Sequence, residues 1–240
     1  MTAHRATAFL AAFNDIEQHL RSTLKAENSD SFWWIVDKAR DKHILSSKQA
    51  EALKDFSNLR NAISHGRYYK SEPIAEPHEA VVKQISALRD VVVSPPDTLH
   101  VLHPRKVFTL ASSTSIMEAF RVIKDKDFSQ IPIYDEGTFT ALLTTNTIAR
   151  WVAADLSDNH VLDAADIADI VKYKEPSDRA IFLARTASVQ ETMDCLSETD
   201  SQGHRPCAAV ITEHGKVNET PLHLVTPADL PALFDALEWE

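Results

Sequence analysis

One stretch of this chain is written twice. Ala111-Ser112-Ser113-Thr114-Ser115-Ile116-Met117-Glu118-Ala119-Phe120 returns 73 residues later as Ala184-Arg185-Thr186-Ala187-Ser188-Val189-Gln190-Glu191-Thr192-Met193. A repeat of this kind constrains the fold more than composition does, because each copy must be one supersecondary unit whose apolar face its twin can cover. β-prone runs, Lys106–Leu110 and Ala180–Leu183, precede the matched segments, and helices to about Ile123 and Leu196 follow. The first copy continues as strand Gln130–Tyr134, turn Asp135-Glu136-Gly137 and strand Phe139–Thr144. The second continues as Ala208–Thr212, Glu213-His214-Gly215 and Leu222–Thr226. Helices over Thr147–Ala154 and Ala228–Leu237 close the copies. By Thr144 and Thr226 the offset has grown to 82, so the longer turns belong to copy two. The expected order is β-α-β-β-α twice, as modules at residues 98–157 and 158–240.

The first 93 residues carry a different period. Phe9, Leu10, Phe13, Ile16, Leu20 and Leu24 form one helical stripe. Asn28-Ser29-Asp30-Ser31 breaks it and offers caps to a helix with Phe32, Trp33, Ile35, Val36 and Ala39. Trp33 and Trp34 read as core plus a half-exposed flank. Ser46-Ser47 opens a third helix through Ala50, Leu53, Phe56, Leu59 and Ile63, which Gly66 ends. Arg67 to Lys70 form its exit, and Pro73 punctuates the loop beyond. Pro77 opens a fourth helix through Val81, Val82, Ile85, Leu88 and Val92. Four helices with short links predict a small helical bundle over residues 1–93. Ser94-Pro95-Pro96 reads as the linker to the repeat, and the fold class is α+β.

Charge divides the chain the same way. Residues 1–93 hold 13 Lys+Arg against 12 Asp+Glu, a net of +1; the remainder holds 12 against 23, a net of −11. An acidic second half is a poor general surface for nucleic acid, so any RNA contact is expected on the helical half. The 4 glycines (Gly66, Gly137, Gly203 and Gly215) are too scattered for a P-loop or a GxGxxG turn, which argues against P-loop NTPases, classical kinases and dinucleotide dehydrogenases. No apolar run is long enough for a bilayer, and the start shows no charged-then-apolar signal pattern. The 2 cysteines, Cys195 and Cys207, have no metal or redox spacing. These features predict a cytoplasmic protein.

Within the third helix, Arg60-Asn61-Ala62-Ile63-Ser64-His65 sets a permanent cation five residues before a histidine. Arginine suits phosphate, and histidine moves protons near neutral pH. Five residues separate Arg60 and His65 by about 140° around an ideal helix, whereas Asn61 and His65 share a face. Bringing them to one cleft requires the helix to end near His65 or a second subunit to contribute. The motif, its Asn and its place on the third of four helices resemble the HEPN family (higher eukaryotes and prokaryotes nucleotide-binding). That resemblance implies a metal-independent ribonuclease working as a homodimer. His65 would shuttle the proton of the RNA 2′-hydroxyl or of the leaving oxygen, Arg60 would stabilise phosphate charge, and Asn61 would orient one or the other. The products would be a 2′,3′-cyclic phosphate and a 5′-hydroxyl. His65-Gly66-Arg67-Tyr68 is one residue longer than the His-x-Tyr of toxin-type relatives. The alternative for Arg60 and His65 is a structural helix end.

The repeat resembles a pair of CBS domains, the modules named after cystathionine β-synthase. The resemblance spans residues 98–240 and is clearest in Ile131-Pro132-Ile133-Tyr134-Asp135-Glu136-Gly137 and in two segments ending in a threonine motif. It implies an adenine nucleotide (ATP, ADP or AMP) between the copies as a regulatory ligand, with Thr-x-x-Asp contacting ribose. One carboxylate can accept from both ribose hydroxyls. Copy two keeps the signature as Thr226-Pro227-Ala228-Asp229; copy one has Thr144-Thr145-Asn146-Thr147, with threonine in place of aspartate. One good site per chain is therefore expected, at Thr226 and Asp229. Arg179, Arg185 and Arg205 are candidate phosphate partners.

Other residues read blandly. His100 and His103 lack a third ligand and fit a solvated linker. Asp163, Asp166 and Asp169 fit a solvated helix face beside Ile167 and Ile170. Cys195 and Cys207 fit buried fillers. The favoured function is a homodimeric ribonuclease that needs no metal, acts on RNA and responds to an adenine nucleotide. The alternative is a non-catalytic nucleotide sensor whose helical bundle dimerises or docks a partner. Neither a DNA-binding motif nor a membrane role is expected.

Overall fold

A computed structural model describes residues 5–42, 44–65 and 75–239, with the side chains of His65, Asp158 and Asn159 outside the description. The expectations that fall on Gly66 to Lys70 and on Pro73 lie outside the described residues. The chain divides into two compact units, Met1–Pro96 with Leu237–Glu240, and Asp97–Ala236.

The first unit holds α1 (Arg5–Leu24), α2 (Phe32–Asp41), α3 (Ser47–His65) and α4 (Glu79–Val93). The apolar stripe of α1 is buried through Phe9, Phe13, Ile16 and Leu20. Phe9 meets Phe56 of α3 edge-on at 5.9 Å, and Phe13 packs on Phe32 of α2 at 4.7 Å. Ser31 caps α2 by accepting the Trp34 N–H at 3.3 Å. A reciprocal box opens α3: Ser46 Oγ accepts the Gln49 N–H at 3.2 Å, and Gln49 Oε1 accepts the Ser46 N–H at 2.9 Å. The fourth helix starts two residues after Pro77, with His78 at its N-cap. Trp239, near the other end of the sequence, is buried in this same helical core.

The tryptophan pair departs from expectation. Neither ring is core: Trp33 and Trp34 are 47% and 43% exposed, and α2 buries Ile35, Val36 and Ala39 instead. Lys54 and Lys38 lie over the two rings, with Nζ 5.3 and 4.2 Å from the centroids.

The second unit opens with α5 (Thr98–Leu102), so His100 and His103 sit on a short helix and its C-cap rather than in a linker. Copy one continues with α6 (Ile116–Lys126), β1 (Gln130–Asp135), β2 (Thr138–Thr144) and α7 (Thr145–Asn159), the last longer than the sequence pattern predicts. The one-turn α8 (Ile167–Ile170) leads through a 3-10 turn at Val171–Tyr173 into copy two: β3 (Ala180–Ala184), α9 (Val189–Ser197), β4 (Ala208–Thr212), β5 (His223–Val225) and α10 (Leu230–Ala236). Asp163, Asp166 and Asp169 are exposed as expected, although only the last lies within a helix.

Strands β1 and β2 pair antiparallel across Glu136-Gly137, whose φ values of +49° and +80° define a type I′ turn. In copy two the order is β3-β4-β5, with β3 parallel and β5 antiparallel to the wholly buried β4. The counterpart strand expected at Lys106–Leu110 does not form. Leu110 alone bridges Ile133, giving its N–H to Pro132 O (3.3 Å) and accepting the Tyr134 N–H (2.9 Å). The next rung would need an N–H from Pro132, and proline has none. The ladder stops there, leaving Arg105–Phe108 to line a pocket.

Candidate functional site

Strand β5 delivers Thr226 to the start of a 3-10 turn, Pro227–Asp229, that leads into α10. Asp229 folds back on Thr226: its Oδ2 accepts the Thr226 N–H at 2.8 Å and the Thr226 hydroxyl at 3.0 Å. Both bonds use one oxygen, and Oδ1 has no protein partner among the described residues. The Thr-x-x-Asp segment is thus a helix-start cap with half its carboxylate free.

That segment forms one wall of a pocket of about 490 Å³, completed by His223 and Leu224, by Arg105–Phe108 and by Lys126–Gln130. Copy one therefore supplies two walls and copy two the third. Arg105, Lys106 and Lys126 bring three bases, and among the described residues none of them pairs with a carboxylate. Asp127 and Asp229 are the acidic lining residues. Phe108 and Phe128 add two aromatic rings, their centroids 6.5 Å apart. His223 is 6% exposed, and its Nδ1 is buried with no hydrogen-bond partner. Burial holds this imidazole below the usual histidine pKa; Asp229 opposes that shift and Arg105 adds to it.

The equivalent corner of copy one is closed. Thr144 caps α7 by accepting the Thr147 N–H at 2.9 Å. Asp178, before β3, then takes the place that aspartate holds in copy two. Its Oδ1 accepts the Thr144 hydroxyl at 2.9 Å, and its Oδ2 accepts the Thr147 hydroxyl at 3.0 Å, Asn146 Nδ2 at 3.2 Å and the Glu175 N–H at 2.9 Å. Thr147, Thr144 and Asp178 are 0%, 4% and 7% exposed. Glu175 also takes Asn146 Nδ2 and pairs with Arg150.

Of the arginines expected at phosphate, none lines the pocket. Arg179 donates to His204 O at 3.3 Å, Arg185 pairs with Glu213 at 3.2 Å, and Arg205 is exposed elsewhere. The three bases present were legible in one respect only: Arg105-Lys106 is the one adjacent basic pair in residues 94–240. Burial pushes both thiols up, at Cys195 with added repulsion from Glu198, Glu191 and Asp194, and at Cys207 from Asp178. Such thiols are poor nucleophiles. Among the described residues no three His, Cys, Asp or Glu side chains are grouped to hold a metal, and no helix is long and apolar enough to cross a membrane.

In the helical unit, α3 is described as far as His65, and half-buried Arg60 precedes exposed Asn61. Arg60 Nη1 donates to Asn61 Oδ1 at 3.3 Å. Among the described residues Arg60 pairs with no carboxylate. The His65 side chain lies outside the description.

Residues 82–154 match the family model of the CBS domain, so the chain carries a CBS domain. The match covers copy one and the later part of α4; copy two lies beyond it. The magnesium transporter MgtE of Thermus thermophilus is 31% identical over 108 residues, which cover 43% of this chain and 24% of that protein. The chain thus spans about a quarter of its curated relative. Among solved structures, a protein with CBS domains from Burkholderia ambifaria MC40-6 aligns with a TM-score of 0.43 and 15% identity, over 59% of this chain and 93% of that one. The CBS domain pair of protein MJ0100, solved with 5′-methylthioadenosine and S-adenosyl-L-methionine, aligns with a TM-score of 0.41 and 22% identity, over 60% and 100% of the two chains.

Proposed function

We propose that the second unit binds an adenine nucleotide (ATP, ADP or AMP) in the pocket before Thr226–Asp229, and that the bound nucleotide regulates the helical unit. The observation that carries this reading is what the pocket brings together. It sets three bases, two phenyl rings and a carboxylate around about 490 Å³, and among the described residues the bases have no carboxylate partner and one carboxylate oxygen has no donor. Those are the complements of phosphate, of a planar base and of a ribose diol. In copy one Asp178 already bonds both threonine hydroxyls of the corresponding corner. Calorimetric titration of the full chain with AMP, ADP and ATP tests the reading. Asp229→Asn retains one oxygen for the Thr226 cap and turns the other into a donor, so the fold should persist while affinity falls by tenfold or more. Undiminished binding by this variant, with an unchanged circular dichroism spectrum, would refute it.

For the helical unit we infer RNA cleavage by a homodimer, with Arg60 stabilising phosphate, His65 moving protons and Asn61 orienting His65 or the phosphate. What favours this over a structural helix end is the lack of a carboxylate partner for Arg60 among the described residues. A mixed RNA pool in EDTA, with and without AMP, is the assay. Cyclic-phosphate ends from wild type, lost in Arg60→Ala and His65→Ala, are the expected outcome. Silence from wild type under every nucleotide would leave the sensor reading, in which the bundle dimerises or docks a partner.

A further inference from the structure

Aligning the two copies on Thr144 and Thr226 sets Ala141-Leu142-Leu143 against His223-Leu224-Val225. The three-residue approach to each threonine motif is otherwise aliphatic, so His223 is a substitution within the repeat. It is a costly residue to put there, because a buried imidazole whose Nδ1 has no partner among the described residues has lost its water without a replacement hydrogen bond. The alanine of copy one carries no such burden. His223 lines the pocket beside Arg105, close enough to be influenced electrostatically by it, and Arg105 is itself without a carboxylate partner among the described residues. The surrounding unit is acidic, with 12 Lys+Arg against 23 Asp+Glu over residues 94–240, yet three of those bases converge on this one pocket. An anion entering beside Arg105 would lie in the pocket that His223 lines, among bases that have no carboxylate partner among the described residues.

We propose that His223 is the specificity-determining residue of this pocket: its Nδ1–H donates to a phosphate oxygen of the ligand, selecting phosphorylated over unphosphorylated adenosine compounds. This rests on the nucleotide reading above and narrows it. Neutral imidazole suffices, because one ring nitrogen always carries a proton and the ligand's charge selects the tautomer that points it at Nδ1.

The test is calorimetric titration of the full chain with AMP and with adenosine, on wild type and three variants. Asn keeps a polar atom near the place of Nδ1, Gln places one near Nε2, and Ala is the residue of copy one. Wild type should bind AMP more tightly than adenosine, and the ratio should fall about tenfold or more in His223→Ala and His223→Gln, because a hydrogen bond to a charged group is lost. His223→Asn should retain most of the ratio, and adenosine affinity should hold across the series. An unchanged ratio in His223→Ala, equal weakening of both ligands, or retention by Gln with loss by Asn would each overturn the assignment. If wild type binds neither ligand, the nucleotide reading itself falls and takes this assignment with it. Binding of both by wild type with no effect of His223 sinks the assignment alone.

Discussion

Asp178 should be the most costly single carboxylate to remove from the second unit. It is 7% exposed and accepts from Thr144, Thr147, Asn146 and the Glu175 backbone, at 2.9 to 3.2 Å. In Asp178→Ala the two threonine hydroxyls can still bond each other, being 3.0 Å apart, so one of their protons finds no acceptor. The Glu175 N–H loses its partner too. Each stranded buried donor costs about 1–3 kcal/mol, and the carboxylate's own desolvation penalty, now removed, offsets part of the sum. A net loss of about 3 kcal/mol follows, or a fall in Tm on the order of 10 °C for a unit of this size. Urea denaturation followed by far-UV circular dichroism would measure it. Two further variants sharpen the test. Thr147→Asp restores the copy-two signature but sets a second carboxylate against Asp178, so it should destabilise alone and recover when combined with Asp178→Ser. A loss below about 0.5 kcal/mol in Asp178→Ala, or no rescue in the double variant, would mean that Asp178 does not stand in for the missing aspartate.

Two other perturbations follow from the structure. Glu219 anchors the loop after β4, accepting from Thr212, the His214 N–H and its ring, and the Lys216 N–H, and these bonds pull its carboxyl down to about 2. A depressed folded pKa gives stability that is whole above the ordinary value of 4.5 and lost as pH falls toward 2. Glu219→Gln should therefore flatten the dependence of Tm on pH between 4.5 and 2, and parallel slopes in the two proteins would contradict the assignment. Trp239 is buried in the helical core, so Trp239→Ala should cost that unit about 3–5 kcal/mol, read from its melting transition; a shift within error would show the contact to be dispensable.

The helices and both hairpins were legible because their signals are local. Period, caps and turn residues located α1 to α4, β1, β2 and β4 to within a few residues. What failed depended on long-range partners. Lys106–Leu110 is β-prone, but its ladder needed a donor from residue 132, and the proline there is 22 residues from the end of the run. Trp33 and Trp34 sit on a helix too short to bury a wide stripe, so Ile35, Val36 and Ala39 took the core and the indoles took lysine neighbours. In the candidate site, Thr226 and Asp229 could be read from spacing. Arg105, Lys106 and Lys126 could not, because surface bases look alike until the fold gathers them.

The same comparison bears on stoichiometry. Sequence marks copy one as defective because Thr147 replaces an aspartate, which alone would weaken a site without abolishing it. The structure supplies the stronger reason: a carboxylate is present, but it comes from residue 178 and its oxygens already hold both hydroxyls that a ribose would have to approach. Opening that corner for a ligand would break bonds among side chains that are 0 to 7% exposed, against a gain of two ribose bonds of comparable strength. The exchange offers no net driving force. Copy two has the opposite balance: among the described residues Asp229 Oδ1, His223 Nδ1 and the bases Arg105, Lys106 and Lys126 of one pocket lining have no hydrogen-bond or carboxylate partner. One nucleotide per chain is the expected titration endpoint. Two equivalent sites in wild type would show that Asp178 yields its partners readily, which is incompatible with a cost of about 3 kcal/mol for its removal.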